Sequence, residues 1–157
     1  MEILNPNTKL LRYTQLYDYD NIEQLFSDCE KVIILYLLKS DHVGHWVCLF
    51  KNKNGYHFFD SYGHPYDYEI DRLSPAKKQQ LHEEKDQLKY LLKNKQVDYN
   101  HVKYQANDTD TCGCFVSHRL NNSKLTNKEY LDLYLKNDIL NPDLFVAKYC
   151  FNKLKYL

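Results

Sequence analysis

Three apolar runs between residues 31 and 60 limit the fold more than any other feature of this sequence. Lys31 to Leu38 is β-branched and apolar almost throughout, which is typical of a strand covered on both faces. His45 to Phe50 and Tyr56 to Asp60 form the second and third runs. The segment between these two ends in Asn54-Gly55, the pair that tight hairpins favour. The sequence therefore predicts three strands, with the last two joined as an antiparallel hairpin.

Helices are indicated on both sides of these strands by the residues with which helices begin. A short capping side chain precedes either a glutamate three positions later or a proline at the first helical position. These signals are Asp20-Asn-Ile-Glu23, Ser74-Pro75, Thr126-Asn-Lys-Glu129 and Asn141-Pro142. The first helix is expected to reach about Cys29. The second is expected to continue to about Lys93, with Glu83 on a solvated charged face.

The remaining segments complete an α+β fold. Val97 to Tyr104 is interpreted as a fourth strand that leads to Gln105, and Cys112 to about Leu120 as an apolar helix. Thr8 to Tyr19 gives no clear pattern. We therefore expect residues 1–157 to form a single domain, with a small and mainly antiparallel sheet flanked by helices.

Composition argues against several classes of partner. The 21 basic and 21 acidic residues give a net charge of zero, so long-range attraction to nucleic acid is not expected, although a local basic patch stays open. No apolar run approaches the roughly 20 residues of a membrane helix, so no membrane contact is expected. The first residues do not resemble a signal peptide. Five irregularly spaced cysteines then indicate reduced thiols in an intracellular protein.

Cys112 is a candidate nucleophile because it is expected to begin a helix. The first turn of a helix has unpaired backbone N–H groups and the positive end of the helix dipole, and both favour a thiolate over a thiol. Gly113 follows directly and would allow another chain to approach closely. A nucleophilic cysteine also needs a base.

His45 is the best candidate for that base. If the second and third strands pair across the hairpin, their far ends bring His45 and Asp60 together, and the carboxylate could orient the imidazole. His42, in the preceding turn, is a rival base. The simpler interpretation of a lone histidine at a strand end is a surface or hydrogen-bonded core residue.

Two further residue types near Cys112 leave alternatives open. Gln105 could donate an amide hydrogen to the oxyanion of a tetrahedral intermediate, with the Cys112 backbone N–H as second donor, or it could simply bond to nearby backbone. The Cys112-x-Cys114 pair could bind a metal with His42, His45 and Cys48, although zinc sites usually contain two such pairs. On a helix Cys114 points away from Cys112, which favours a small apolar filler and no metal cofactor.

These residues together resemble the adenovirus proteinase (adenain) family, which is grouped with the SUMO-specific and related ubiquitin-like-protein proteases. The matching motifs are Gly44-His45-Trp46, Phe59-Asp60-Ser61-Tyr62-Gly63, and Gln105 followed seven residues later by Cys112-Gly113. They cover the chain from about residue 31 to residue 120. Asp60 is the acid that SUMO proteases use, whereas the spacing from Gln105 to Cys112 agrees with the adenovirus type.

The resemblance implies an adenain-type fold and a role for each matched residue. Cys112 would be the nucleophile, His45 the general base and then acid, Asp60 the residue that orients His45, and Gln105 the oxyanion donor. Trp46 would cover a narrow groove that admits only glycine next to the scissile bond, so cleavage would follow small residues. Gly44 and Gly113 would border the same groove.

The resemblance also implies a viral cysteine endopeptidase that matures capsid precursors. Such an enzyme would act inside the infected cell, in the cytoplasm or a virus factory, and would be packaged in the virion. Adenovirus enzymes are activated by a peptide and DNA, but the neutral charge of this chain gives DNA activation no support. A ubiquitin- or SUMO-like isopeptidase and a non-catalytic binding module on the same fold remain as alternatives.

Overall fold

A computed structural model describes residues 7–40 and 43–155, and within them five strands form one sheet. The strands are β1 (Thr8–Arg12), β2 (Lys31–Ser40), β3 (Val43–Asn52), β4 (Gly55–Phe59) and β5 (Val97–Tyr99). The helices are α1 (Ile22–Leu25), α2 (Tyr68–Asp71), α3 (Pro75–Leu81), α4 (Gln87–Leu91), α5 (Cys112–Asn121), α6 (Asn127–Lys136) and α7 (Pro142–Lys155), and a 3₁₀ helix spans Tyr13–Asp18. The fold class is therefore α+β, as the sequence predicts.

The sheet is mixed, so the prediction of a mainly antiparallel sheet needs correction. Neighbouring strands follow the order of the sequence, from β1 to β5. The central strands β2, β3 and β4 are antiparallel, whereas β1 pairs with β2 and β4 with β5 in parallel. Parallel neighbours need a crossover segment. The 3₁₀ helix with α1 supplies the first crossover and α2 to α4 supply the second.

The sheet separates two apolar clusters, which explains the continuously apolar β2. Alternate residues of a strand point to opposite faces. Val32, Ile34 and Tyr36 therefore enter the cluster that contains the 3₁₀ helix, α1 and α4. Ile33 enters the second cluster, where the sheet packs against α5, α6 and α7. The predicted coverage of β2 on both faces is confirmed.

The predicted helix from Pro75 to Lys93 is wrong, because it is interrupted after α3. His82 ends α3 with φ of 59°, and α4 begins only at Gln87. Glu83 is fully buried and accepts a hydrogen bond of 2.9 Å from the backbone N–H of Leu37 in β2. Burial raises the pKa of Glu83 to about 7. The contact with β2 turns the chain inward at the position where the sequence suggested solvent.

The fourth predicted strand is also shorter than expected, since β5 ends at Tyr99. Asn100 then bonds to the backbone of Asp60, accepting from its N–H at 3.0 Å and donating to its carbonyl at 2.7 Å. This side chain replaces the ladder that a longer strand would have formed. Gln105 therefore lies in an irregular segment rather than at a strand end.

The short first helix differs from its prediction as well. It is capped by Asn21, whose side chain accepts from the N–H of Gln24 at 2.8 Å, and it ends at Leu25 rather than near Cys29. By contrast, α6 begins with the predicted capping box of Thr126 and Glu129. In the described ranges 7–40 and 43–155, no helix has the length and apolar character needed to cross a bilayer.

Candidate active site

An open groove of about 820 Å³ lies where the start of α5 meets β3. Six of the seven site residues predicted from the sequence line this groove. The seventh, Asp60, is buried and contacts His45. The six are Gly44, His45, Trp46, Gln105, Cys112 and Gly113.

The hairpin brings His45 and Asp60 together. Its register pairs Cys48 of β3 with Phe59, the last residue of β4. Asp60 therefore comes directly after β4, next to the start of β3 where His45 lies. His45 Nε2 lies 2.8 Å from Asp60 Oδ1, and both residues are buried. The ring of Tyr62 stacks on His45, with centroids 4.9 Å apart and planes 29° from parallel. The imidazole is therefore held in one orientation by a carboxylate and an aromatic face.

The loop that carries Asp60 is itself fixed. The backbone N–H of Tyr62 donates to Asp60 Oδ1 at 2.8 Å, and the N–H of Gly63 donates to the Asp60 carbonyl at 2.8 Å. Gly63 has φ of 77°, and a Cβ there would lie 2.8 Å from the carbonyl of Val102. Glycine is required at this position on both grounds.

Cys112 is the first residue of α5, and its sulfur is surrounded by donors. Burial opposes ionisation, but hydrogen bonds from the His45 ring and from the backbone N–H groups of Trp46 and Gly113 outweigh it. The pKa of Cys112 is therefore lowered from its ordinary value. Because Nε2 of His45 faces Asp60, Nδ1 is the ring atom left for the Cys112 sulfur.

The histidine shows the opposite shift. Burial alone would lower the pKa of His45, yet hydrogen bonds to Asp60 and Cys112 raise it to about 10. A lowered cysteine pKa and a raised histidine pKa describe a thiolate beside an imidazolium. Cys112, His45 and Asp60 thus form a continuous chain of hydrogen bonds that ends at a sulfur in an open groove.

Gly44 has a structural reason to be glycine in addition to its predicted place beside the substrate. A Cβ at this position would lie 1.8 Å from the backbone carbonyl of Tyr36 in β2. A side chain would therefore force β2 and β3 apart next to His45. At Gly113 the situation differs, because a Cβ would meet only Trp46 Cδ1 at 3.8 Å.

Gln105 lies beside the groove with its amide firmly oriented. Its Oε1 accepts from the Ser61 hydroxyl at 2.7 Å, and its Nε2 donates to the Thr109 carbonyl at 2.8 Å. Its backbone N–H donates to the Ser61 carbonyl at 3.0 Å. A primary amide has two N–H groups, so one is left after the bond to Thr109. Gln105 can therefore bond to the backbone of Thr109 and still have an N–H group free to donate to an oxyanion.

Asp143, in the first turn of α7, fastens the loop between Gln105 and Cys112. Its carboxylate accepts from the Ala106 N–H at 3.0 Å and from the Thr109 hydroxyl at 2.7 Å, and it also bonds to the Thr111 hydroxyl. Three separate points of the loop thus converge on one carboxylate. We infer that Asp143 positions the residue before the nucleophile.

Several residues that shape the site were not identified from the sequence. Ser61 and Tyr62 lie inside the motif around Asp60, and their closeness to Asp60 in the sequence is the signal that could have identified them. Asn100 and Asp143 are 40 and 37 residues away along the chain from the groups they bind, Asp60 and Ala106, and no local pattern marks them.

The alternatives considered for the site have different outcomes. His42, the rival base, lies outside the described residues. Cys48 is fully buried in the core, and burial raises the pKa of its thiol to about 12. Within the described residues, Asp60, His64 and Glu69 have ligand atoms close enough together to hold a metal ion.

Comparison with known proteins gives a viral relative. No family model matches the chain. The uncharacterized protein V9 of Sputnik virophage is 30% identical over 125 residues, which cover 76% of this chain and 71% of V9. The chain belongs to the V9 family. The relationship of this V9-family member to V9 connects it with a virus.

Proposed function

We propose that this V9-family chain is a cysteine endopeptidase with an adenain-type fold. The observation that carries the proposal is the chain of hydrogen bonds from Cys112 through His45 to Asp60, with the sulfur exposed to a groove large enough for an extended peptide. Nucleophile, base and orienting acid are the three parts that such catalysis needs.

In the first half of the reaction the Cys112 thiolate attacks the carbonyl carbon of the scissile peptide bond. The negative charge that forms on the oxygen is stabilised by the Cys112 backbone N–H and by the remaining N–H of Gln105, and each such donor is worth about 10²- to 10³-fold in rate. The His45 imidazolium then transfers its proton to the leaving amine. The C–N bond breaks and a thioester on Cys112 remains.

In the second half a water molecule hydrolyses the thioester. Neutral His45 takes a proton from the water as it attacks, and the oxyanion occupies the same pair of donors. Collapse of the intermediate releases the carboxylic acid product and regenerates the Cys112 thiolate beside the His45 imidazolium. Asp60 stabilises the imidazolium in both halves by its bond to Nε2.

The groove favours substrates with small residues at the cleavage point. Trp46 and Gly113 both line the groove, and a Cβ at Gly113 would lie in ordinary contact with Trp46 Cδ1, at 3.8 Å. The indole therefore lies next to the backbone that borders the nucleophile, where a substrate with a small side chain would pass most easily. On this proposal, glycine-type residues occupy the position next to the scissile bond. Together with the relationship to a virophage protein, this supports the structural precursors of a virus as substrates, cleaved in the infected cell and in the virion.

Cleavage of the structural proteins of the encoding virus tests the proposal. Purified protein should produce discrete fragments whose new C-termini are small residues, and Cys112→Ala should produce none. Cys29→Ser serves as the matched control, because Cys29 lies in the apolar cluster with the 3₁₀ helix, α1 and α4, and not in the cluster that contains α5. Identical fragment patterns from wild type and Cys112→Ala would refute the proposal. Labelling of Cys112 by ubiquitin or SUMO with an electrophilic C-terminus would instead favour the isopeptidase alternative.

The pH dependence of kcat/KM should be bell-shaped. Activity should rise as Cys112 ionises, at a pH below the ordinary thiol value of about 8.5, since the active thiol is the lowered one. It should fall near pH 10, where His45 loses the proton that the leaving amine needs. Both limbs belong to the coupled pair.

Asp60→Asn provides the control for this profile. Because the Asp60 carboxylate helps to raise the pKa of His45, its replacement should move the alkaline limb to lower pH. Initial rates on a small-residue peptide between pH 5 and about pH 11 measure both effects. A wild-type rate that keeps rising above pH 10, as for a free thiol, would contradict the ion pair.

A further inference from the structure

A second pair of thiols lies in the wall of the groove. Cys114 of α5 and Cys150 of α7 are hydrogen-bonded to each other, and both line the groove that contains Cys112. Each is half-buried and free. The proposed peptidase reaction uses neither of them. A role as small apolar filler would not require a thiol at both positions, one on each of two packed helices.

The two thiols occupy unequal electrostatic positions. Cys114 is the third residue of α5, where the positive end of the helix dipole stabilises a thiolate. Cys150 lies in the second half of α7, nearer the end that disfavours negative charge. The hydrogen bond between the two thiols lowers the pKa of Cys114 and raises the pKa of Cys150. Cys114 is thus the nucleophilic member of the pair.

We propose that Cys114 and Cys150 form a reversible dithiol–disulfide site that reacts with small disulfides of the glutathione class. The reaction begins when the Cys114 thiolate attacks oxidised glutathione, forming a mixed disulfide and releasing one glutathione thiolate. Cys150, giving up its proton to solvent, then attacks the Cys114 sulfur and releases the second glutathione. One disulfide bond forms in the protein, and one molecule of oxidised glutathione becomes two reduced ones.

The surroundings of Cys150 allow this closure. The sulfurs must approach from hydrogen-bond contact to about 2.05 Å. Residues 151–155, which end α7, are all exposed, so few contacts hold this part of the helix in place. The bond would join α5 to α7 across the groove wall. Cys112 differs, because its contact is a histidine and not a second thiol.

Glutathione redox buffers applied to the whole chain test the site. With increasing oxidised glutathione, peptide mapping should find the peptides of Cys114 and Cys150 linked, with the loss of two hydrogen atoms from this pair of peptides. The midpoint of closure should follow the ratio of reduced glutathione squared to oxidised glutathione. Closure should raise Tm by about 5–10 °C, because it restrains the unfolded chain. Excess reductant should reverse both changes.

Matched variants make the result specific and separate it from peptidase activity. Cys150→Ser should stop at a mixed disulfide on Cys114, and Cys114→Ser should form no internal bond, whereas Cys29→Ser should close like wild type. The Cys112→Ala chain should also close, so the test does not depend on the proposed peptidase reaction. Absence of the cross-link in fully oxidised glutathione, or a cross-link that contains Cys112 in its place, would overturn the proposal.

Discussion

Replacement of His45 by glutamine should lower kcat/KM for peptide cleavage by about 10³-fold, near the middle of the range for loss of general acid–base catalysis. The same change removes the hydrogen bond that does most to lower the pKa of Cys112. The variant should therefore also lose rapid alkylation by iodoacetamide at pH 6, where an ordinary thiol is almost entirely protonated. Rates of cleavage and of alkylation measure these two losses separately.

A matched histidine replacement distinguishes this effect from a general disturbance. His101 is exposed and does not line the groove, so His101→Gln should cleave and alkylate at wild-type rates. If His45→Gln were alkylated at pH 6 as fast as wild type, the backbone N–H groups and the helix dipole alone would account for the thiolate. That outcome would remove His45 from the ionisation of Cys112.

Replacement of Arg119 by methionine should reduce the free energy of unfolding by about 3–4 kcal/mol, the largest effect on stability that we expect. Arg119 is fully buried near the end of α5. It donates to the carbonyls of Asn122 at 2.9 Å and Leu125 at 2.8 Å, and to Asn127 Oδ1 at 3.2 Å. Methionine fills much of the same volume but leaves these acceptors without their donor.

Urea denaturation of the two proteins measures this change. The guanidinium also lies over the ring of Phe50 at 4.6 Å and that of Tyr130 at 4.8 Å, and both contacts are lost in the variant. Arg72→Met is the control, because Arg72 is exposed and such positions usually change stability by less than about 0.5 kcal/mol. A loss below about 1 kcal/mol for Arg119→Met would show that water can satisfy the three acceptors.

The parts of the site that sequence could predict are those set by local structure. The Asn54-Gly55 turn sets the register of β3 and β4, and this register brings His45 near Asp60. The apolar run after Cys112 indicates a helix, and the helix start places the thiol beside unpaired N–H groups. In both cases residues close along the chain decide the geometry, which is why a single sequence was sufficient.

The parts that sequence could not predict depend on contacts between distant segments. Glu83 resembles a solvated helix residue, and only its bond to the Leu37 N–H shows why the helix stops. Asn100 ends β5 by bonding to Asp60, although asparagine in that position has no local signature. Neither partner can be read from spacing or periodicity, because the pairing is a product of how the sheet and helices pack.

The fastening of the loop by Asp143 has a consequence for the growing chain on the ribosome. Residues 106–111 and Cys112 leave the exit tunnel well before Asp143 does, so the carboxylate that gathers the loop arrives late. Until then the Ala106 N–H and the hydroxyls of Thr109 and Thr111 lack the carboxylate that joins them. Translation therefore delays completion of this loop until the first turn of α7 has emerged, and under the proposed function an unfinished molecule lacks the complete site.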